Sequence, residues 1–315
     1  MLYIESPVTD PHWNLALEEH LFSGKSEEVF MLWQNSSSII IGKNQNAMAE
    51  IDYSYVTKEN IPVVRRLTGG GAVYHDLGNL NFTYIVNREG FGDYIGFTKT
   101  LREYLASLGL SAEVSGRNDV LVGGKKISGN AQYSKQGRLL HHGTILIGAD
   151  MTHLSRALRP DEEKIKSKGI RSVQSRVTNL GPLLSMDAEA FRTGFAAFVS
   201  KSEDMQPYIL SAEDRAAVDK LVKEKYGTFA WNYGYSPKYA FHTRHRFPGG
   251  GVEVFLDIRD GIIRDAKIFG DFLGDAVPLA EGLRGLAHNA ETLRKAVKKF
   301  SFGTISEEEL LSCFL

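Results

Sequence analysis

The chain has 315 residues, of which 43% are hydrophobic and 24% are charged, and its formal net charge is −1 at pH 7. This length predicts a main domain with a smaller companion, and the composition is not that of a disordered, fibrous or membrane-embedded protein. A net charge this small provides no global field for a polyanion, so we expect no nucleic-acid partner and only a local basic pocket for phosphate.

The N-terminus, MLYIESPVTDPHWN, lacks the basic region and the long apolar run of a signal peptide. No later segment reaches the ~18 to 20 apolar residues of a membrane span. We therefore expect a cytoplasmic protein without a membrane partner. The single cysteine, Cys313, allows neither an internal disulfide nor a cysteine metal site.

Patterns typical of helices and strands alternate along the chain without an internal repeat. Helical spacing of apolar residues predicts a helix at 13–22, and the short apolar runs 30–33 and 38–41 predict a hairpin. Further strands are predicted at 80–86, 120–122 and 144–147, and further helices at 98–108, 187–199 and 212–226.

Composition changes near residues 237–248, where we predict a linker. The stretch GVEVFLDIRDGIIRDAKIFGD after it predicts two strands joined by a turn at 259–261, and a helix is expected at 290–299. We therefore divide the chain into a catalytic domain, 1–240, and a small α+β domain, 241–315.

The segment RRLTGGGAVYHD, residues 65–76, places two arginines beside three successive glycines. Glycines allow the backbone to approach a ligand closely and present amide N–H groups to an anion, and the arginines add fixed positive charge. The alternative interpretation is a flexible turn. The segment has neither the Gly-Lys-Ser/Thr ending of a P-loop nor a dinucleotide-binding GxGxxG pattern.

The segment GRNDVLVGGKKISGNA, residues 116–131, predicts a strand, a Gly-Gly turn and a second strand. This hairpin places Lys126 beside the turn and Asp119 near the start of the partner strand. Asp119 could bind Mg²⁺ through a carboxylate oxygen, and Lys126 could neutralise a reacting phosphate. A surface hairpin with solvated lysines is the alternative.

Two further segments are rich in basic residues. His141 and His142 lie on one predicted strand and therefore point to opposite faces, which makes them a poor metal pair and suggests a buried, hydrogen-bonding histidine. The segment KGIRSVQSRVTNL, residues 168–180, could cover a nucleotide or could simply be an exposed connection.

These segments, in their order and spacing, closely resemble the lipoate–protein ligase family, as do NLALEE near the start and IGKNQN at 41–46. The WNYG and GGVEVFLDIRDGII stretches resemble the C-terminal accessory domain of that family. The resemblance implies an α+β fold, shared by lipoate and biotin ligases and related to the core of class II aminoacyl-tRNA synthetases, with a small α+β domain appended.

The resemblance also implies roles for individual residues. Lys126 matches the family's catalytic lysine, which contacts both the lipoate carboxylate and the adenylate phosphate, and Asp119 would bind magnesium. The implied ATP and adenylate site comprises Arg66, Gly71, Ala72, Val73, Tyr74, Asn118, Asp119, Lys126, Ser172, Arg176, Val177 and Thr178. The implied lipoate site comprises Arg66, Gly70, Gly71, His75, Lys126 and Gly129.

The implied reaction uses ATP and Mg²⁺ to convert lipoate to lipoyl-AMP, and then transfers the lipoyl group to a lysine of a carrier. The implied partners are lipoyl domains of 2-oxoacid dehydrogenase complexes or the glycine-cleavage H protein. Two alternatives stay open: a cysteine-independent lipoyl or octanoyl transferase and a non-catalytic lipoyl-adenylate binding protein. A transferase that uses a cysteine thioester is disfavoured, because Cys313 lies outside the predicted catalytic domain.

Overall fold

The computed structural model describes residues 1–88, 90–116, 118–150, 152, 156–157, 177–202, 204–235, 239–272, 274–300 and 302–315. These residues form two compact units: unit 1 comprises Met1–Lys43 and Pro62–Thr228, and unit 2 comprises Asn44–Ile61 and Phe229–Leu315. The domain boundary between residues 240 and 241 stays a prediction, since the compact units divide the chain at other places and assign residues 44–61 to unit 2.

The described strands are β1 (Leu2–Glu5), β2 (Val29–Trp33), β3 (Ser38–Ile41), β4 (Val63–Arg65), β5 (Val73–His75), β6 (Asn79–Val86), β7 (Ala112–Ser115), β8 (Asp119–Val122), β9 (Lys125–Lys135), β10 (Arg138–Leu146), β11 (Gln206–Pro207), β12 (Tyr239–Phe247), β13 (Gly250–Arg259) and β14 (Ile262–Gly270).

The described α-helices are α1 (Pro11–Gly24), α2 (Ala47–Glu50), α3 (Tyr53–Lys58), α4 (Tyr94–Phe97), α5 (Lys99–Ser107), α6 (Gly181–Leu184), α7 (Ala188–Ser202), α8 (Ala212–Leu221), α9 (Val277–Leu283), α10 (Ala290–Val297) and α11 (Glu307–Ser312). The described residues also include two π-helical turns, Val222–Tyr226 and Ala230–Gly234.

Unit 1 is built on a mixed sheet in which the described strands run in the order β11-β1-β2-β6-β10-β9-β8-β7. Because side chains alternate across each strand, the two faces of this sheet differ. On one face, Phe30 and Phe82 pack with Tyr104 of α5 and with Phe191 and Phe195 of α7 to form the core. The opposite face carries the polar side chains of β6, and the candidate site lies there.

The predicted hairpin of 30–33 and 38–41 is wrong. β2 pairs with β1 and β6 in the large sheet, whereas β3 lies between β4 and β5 in a separate sheet. Every residue of β2 and of β3 is buried, so their apolar pattern carried no information about which strands pair. Asn35 lies on the connection between the two sheets, where its side chain bonds Asn14 and His75.

The hairpin of β8 and β9 is confirmed. Gly123 and Gly124 form its turn with φ angles of 57° and 74°, a left-handed conformation that favours glycine. The predicted helices of unit 1 are also confirmed, with shifted ends. Helix α1 begins at Pro11 because the Asp10 side chain accepts from the Trp13 amide.

Unit 2 contains the antiparallel sheet β12-β13-β14. The predicted turn of β13 and β14 is confirmed, with φ angles of 54° at Asp260 and 70° at Gly261. The predicted linker is wrong for most of its length, because residues 239–247 form β12, which pairs with β13 throughout. Within unit 2, the Tyr53 hydroxyl accepts from the Ala290 amide at 3.2 Å, which attaches residues 44–61 to the C-terminal part.

In the described part of the chain, the helices are too short or too polar to cross a membrane.

Candidate active site

Arg66 fixes the shape of the glycine loop, residues 69–71, between β4 and β5. Arg66 is 6% exposed, and its guanidinium donates to the carbonyl oxygens of Gly69 at 2.6 Å and Gly71 at 2.8 Å. It also donates to Ile40 O at 3.0 Å, which ties the loop to β3. Arg66 therefore supports the loop from inside the protein, and its predicted contact with a ligand stays a prediction.

Gly42 brings the backbone of β3 against the same loop. A Cβ atom at Gly42 would lie 2.1 Å from the carbonyl oxygen of Gly70, which is far inside van der Waals contact. Gly70 itself has a φ of 93°. The loop conformation thus requires glycine at two places, because one position is left-handed and the other has no room for a side chain.

A chain of buried hydrogen bonds connects Arg66 to Glu18 of α1. Arg66 Nε donates to Thr68 Oγ1 at 2.9 Å, and Thr68 Oγ1 lies 2.8 Å from His142 Nε2. His142 Nδ1 lies 2.9 Å from Glu18 Oε1. Because a carboxylate only accepts, Nδ1 donates to Glu18 and Nε2 accepts from the Thr68 hydroxyl. The chain gives the buried guanidinium a distant negative counter-charge.

Burial and charge shift the pKa values of two groups in this region. Burial lowers the pKa of Arg66 to about 10, and the negative charge of Glu18 opposes that shift. Burial, followed by the positive charge of Arg66, lowers the pKa of His75 to about 3. Arg66 is therefore charged and His75 neutral at pH 7.

Lys126 lies near the start of β9, over Gly129. The position that a Cβ atom of Gly129 would occupy is 2.7 Å from Lys126 Nζ, so the absence of a side chain there makes room for the ammonium group. Lys126 Nζ also lies 2.7 Å from Asp119 Oδ1 on β8. The structure thus brings together three of the residues that the sequence predicted: Asp119, Lys126 and Gly129.

The predicted adenylate-covering segment returns to the same strand. Val177 forms a parallel bridge with Lys126, and the Thr178 amide donates to Lys126 O at 2.9 Å. Ser172 and Arg176 lie outside the described residues. The part of the segment that the structure does describe therefore lies beside the candidate catalytic lysine.

Lys126 and the glycine loop share one face of the large sheet. The Gly129 amide donates to Thr144 Oγ1 at 3.1 Å on β10, and His142 lies two residues before Thr144 on the same strand. Residues two apart on a strand project to one face, about 7 Å from each other. Because Thr68 contacts His142, the loop lies on the same face as the lysine.

The remaining predicted residues lie in the hairpin and in the segment from Ala72 to His75. The Asn118 side chain donates to Asn130 O at 2.7 Å, so it closes the base of the β8–β9 hairpin. Ala72 precedes β5, and Val73 lies on that strand. Tyr74 is buried, with its hydroxyl 3.1 Å from Ser37 Oγ. His75 Nδ1 lies 3.1 Å from Asn35 Nδ2.

The donor set at Asp119 fits a magnesium ion that is held partly by substrate. Mg²⁺ is commonly bound by one or two carboxylates together with phosphate oxygens. Asp119 provides one carboxylate, 36% exposed, and the described residues contain no cluster of three side chains of the His, Cys, Asp or Glu type suited to a metal. A single carboxylate fits an ion whose other ligands are phosphate oxygens.

Sequence reasoning did not assign four residues of this face to the site: Glu18, Thr68, Asn81 and Trp33. Glu18 is 1% exposed and Asn81 is 1% exposed, which is unusual for such polar groups. The signal in the sequence was polar residues at alternating positions of an apolar strand, as in NLNFT. That signal shows one polar face, and only the tertiary structure shows that α1 and the glycine loop cover it.

Two family models match the chain. Residues 10–199 match the lipoyl protein ligase A/B catalytic domain, and residues 236–314 match the bacterial lipoate protein ligase C-terminus. Together the matched ranges cover unit 1 from α1 to α7 and most of unit 2. The described glycine loop, Lys126 and Asp119 all lie within the first range.

Curated relatives agree over nearly the whole length. The chain is 41% identical to lipoate–protein ligase 1 of Staphylococcus aureus, covering 96% of each chain. It is 40% identical to the lipoate–protein ligase LplJ of Bacillus subtilis, covering 99% of each.

Solved structures agree with the fold and include ligand complexes. A Plasmodium falciparum LipL1 structure in complex with lipoate is 27% identical, with a TM-score of 0.64, and the match covers 99% of this chain and 98% of that one. A lipoate–protein ligase A bound with ATP is 27% identical, with a TM-score of 0.62, over 74% of this chain and 98% of that one.

A third structure, from an archaeal lipoylation system of Thermoplasma acidophilum, is described as a bipartite lipoate protein ligase and its E2 lipoyl domain. It is 29% identical, with a TM-score of 0.65, over 76% of this chain and 98% of that one. The matches to the catalytic and C-terminal models, the full-length relatives and the shared α+β fold lead to one conclusion: this chain belongs to the lipoate–protein ligase family.

Proposed function

We propose that this chain activates lipoate with ATP to give lipoyl-AMP and pyrophosphate, and then transfers the lipoyl group to a lysine of a carrier domain. The observation that carries the proposal is the position of Lys126, whose ammonium lies over Gly129 and beside Asp119 on the face that the glycine loop covers. Relatives at 40% and 41% identity are named lipoate–protein ligases.

In the first step, a carboxylate oxygen of lipoate attacks the α-phosphate of ATP, and the bond to pyrophosphate breaks. Negative charge grows on the α-phosphate, and we assign its stabilisation to Lys126 and to the amides of the glycine loop. Arg66 holds that loop, and the buried chain to Glu18 fixes the guanidinium. The loop amides are therefore held in place by the protein itself, which limits reorganisation during the reaction.

Magnesium is assigned to Asp119 and the phosphates of ATP. When bound, the ion would neutralise the charge on pyrophosphate as it leaves. The Asp119 carboxylate is paired with the Lys126 ammonium at 2.7 Å. We propose that ATP separates this pair, with the ammonium moving to the α-phosphate.

The lipoyl-AMP must be protected from water until the carrier arrives, because a mixed anhydride hydrolyses easily. Val177 forms a backbone bridge with Lys126, and the Thr178 amide donates to Lys126 O. We assign them, with Ser172 and Arg176 of the same segment, to the adenylate cover. Asn118, Ala72, Val73 and Tyr74 are assigned to the surrounding nucleotide pocket, and Gly70 and His75 to the lipoate pocket.

In the second step, a carrier lysine attacks the acyl carbon and AMP leaves. We propose lipoyl domains of 2-oxoacid dehydrogenase complexes, or the glycine-cleavage H protein, as acceptors. The related archaeal system with an E2 lipoyl domain supports the first of these. We propose a cytoplasmic location, which agrees with a requirement for ATP.

The rival functions differ in one measurable reaction. A lipoyl or octanoyl transferase needs no ATP, and an adenylate-binding protein catalyses no exchange. Lipoate-dependent exchange of labelled pyrophosphate into ATP should therefore occur only with a ligase. A protein that transfers octanoate between carriers but shows no such exchange would overturn the proposal.

The position of Cys313 argues against a thioester route. Cys313 is fully buried, and burial with the nearby Glu309 raises the pKa of its thiol to about 12. A neutral, inaccessible thiol is a poor nucleophile. The described residues of unit 1, which carry the candidate site, contain no cysteine.

A further inference from the structure

A row of residues crosses four strands of the large sheet on the face of the candidate site. It starts at Gly129 on β9, under Lys126, and continues to Thr144 on β10. Thr144 is paired with Asn81 on β6, and Asn81 is paired with Trp33 on β2. Directly paired residues project to the same face, so these side chains form one line that leads away from Lys126.

The far part of this row, together with His75 of β5 near Trp33, is buried and has polar atoms without a partner. Asn81 is 1% exposed and His75 is 3% exposed. Within the described part of the chain, Asn81 Nδ2 and His75 Nε2 make no hydrogen bond. The other end of the Asn81 amide is fixed, because Asn81 Oδ1 accepts from Asn79 Nδ2 at 2.9 Å. Native proteins rarely leave such donors unpaired, which points to a ligand atom as the missing partner.

Trp33 brings these polar atoms into one group. Its indole N–H donates to Thr83 Oγ1 at 2.9 Å, which turns the ring toward the site face. Its ring centroid lies 6.1 Å from that of His75. Asn81 is directly opposite Trp33 on the neighbouring strand. An unpaired amide donor therefore lies beside an aromatic ring.

The distance along the row matches the length of lipoate. Neighbouring strands are about 4.8 Å apart, so Asn81 lies about 10 Å from Gly129 across the sheet. An extended alkyl chain with C–C bonds of ~1.5 Å advances about 1.3 Å per bond, which places the nearer dithiolane sulfur roughly 8 Å from the carboxyl carbon. A lipoate whose carboxylate meets Lys126 would therefore bring its sulfur to Asn81.

We propose that Asn81 is a specificity-determining residue, whose Nδ2 donor binds a dithiolane sulfur of lipoate and so disfavours sulfur-free acids of the same length. This inference rests on the proposed function and specifies which acid the site selects. A thioether-like sulfur is a weak hydrogen-bond acceptor and also contacts aromatic rings favourably, which suits a slot between Asn81 and Trp33. A saturated hydrocarbon chain can neither accept a hydrogen bond from Asn81 nor place a sulfur against the Trp33 ring.

The test compares substrates that distinguish the contribution of the sulfur atoms from that of the ring. Cyclopentylpentanoate has the shape of lipoate, with methylene groups in place of both sulfurs, and octanoate lacks the ring as well. With saturating ATP, kcat/KM for acid-dependent pyrophosphate release is measured for all three acids. The wild-type protein should prefer lipoate over the cyclopentyl acid roughly tenfold, since the isostere leaves the amide donor unpaired.

In Asn81→Leu this preference should fall to within about twofold, because the donor is gone and the volume is nearly kept. Asn87→Leu makes the same change just beyond the end of β6, where the amide donates to Ser26 O. It should retain the wild-type ratio. Asn81→Ser keeps a shorter donor and should give an intermediate ratio, and it replaces Asn81→Leu if circular dichroism shows that the leucine variant is unfolded.

Two results would overturn the inference: a wild-type ratio near one, or an unchanged ratio in a folded Asn81 variant. Both leave the proposed function standing, because lipoate is still activated. Failure of the proposed function gives a different result, since the wild-type protein would then release no pyrophosphate with any of the three acids.

Discussion

Lys126 Nζ and Asp119 Oδ1 lie 2.7 Å apart, so the ammonium proposed to meet the reacting phosphate is paired with the carboxylate proposed to bind magnesium. The two side chains are 33% and 36% exposed. An ion pair with this exposure contributes only about 0–1 kcal/mol to stability. ATP and its magnesium ion can therefore separate the pair at little cost in folding free energy.

Replacing the lysine should affect chemistry far more than folding. We expect Lys126→Ala to reduce the rate of lipoyl-AMP formation at least about 100-fold, because one preorganised charge on the developing phosphate is removed. Its free energy of unfolding should change by less than about 1 kcal/mol. Lys125→Ala is the matched control and should keep near-normal activity. A folded Lys126→Ala protein with normal adenylation would refute the mechanism.

The aspartate should determine how much magnesium the reaction needs. Asp119→Asn removes the charge but keeps the shape, so we expect the Mg²⁺ concentration for half-maximal pyrophosphate release to rise roughly tenfold. Glu113→Gln, on the neighbouring strand β7, should leave it unchanged. An unaltered magnesium titration in Asp119→Asn would place the ion elsewhere.

Gly42 offers a test of the glycine loop that involves no charged group. We expect Gly42→Ala to weaken ATP and lipoate binding strongly, because the new methyl group would collide with the Gly70 carbonyl 2.1 Å away. Gly69→Ala adds the same methyl group where no atom lies within 4 Å, and it should bind both substrates nearly as the wild type does. Calorimetric titration of the two variants gives the comparison. Equal binding by both would show that the close approach is unimportant.

Acid stability should depend on a buried histidine. His141 is fully buried, hydrogen-bonded to Gln132 and Asn130. Burial, with a smaller effect of His142, lowers its pKa from 6.5 to about 3. Between these values the unfolded chain binds a proton that the folded chain does not, so stability falls as the pH is lowered from about 6.5 toward 3, by up to ~1.4 kcal/mol per pH unit.

His141→Gln keeps hydrogen-bonding groups and removes this titration. Urea unfolding at pH 7, 6, 5 and 4 should therefore show a shallower pH dependence for the variant. His245→Gln, in unit 2, replaces a partly exposed histidine and serves as the control. If His141→Gln and the wild type lose stability in parallel, His141 is not a source of the acid sensitivity.

The buried thiol should be dispensable for catalysis. We expect Cys313→Ala to lose some stability, since a buried side chain is truncated, while the overall ligation rate stays within about twofold of the wild type. Mass spectrometry under turnover should find no acyl group on Cys313. An acyl-thioester there, together with a large loss of rate in the alanine variant, would support the transferase alternative.

Much of the site was present in local sequence patterns. The Gly-Gly turn fixed the β8–β9 hairpin, because two adjacent residues needed left-handed backbone, and that hairpin alone places Lys126 opposite Leu121 and near Asp119. The arginines beside the glycine run likewise indicated a loop with fixed charge. Local geometry decides these features, so the sequence was sufficient to predict them.

Which strands pair with one another, and which segments cover the site, depended on distant parts of the chain. The fully buried β2 and β3 have the same apolar pattern, yet they belong to different sheets, and residues 44–61 pack with a unit that begins again at Phe229. The sequence by itself indicated which residues we propose to carry the chemistry. Only the tertiary structure decided that Glu18 supports Arg66 through His142 and Thr68. It also decided that Asn81 lies in line with Lys126. Hydrogen bonds and strand register between remote segments leave no periodic pattern in either segment alone, so the sequence could not show them.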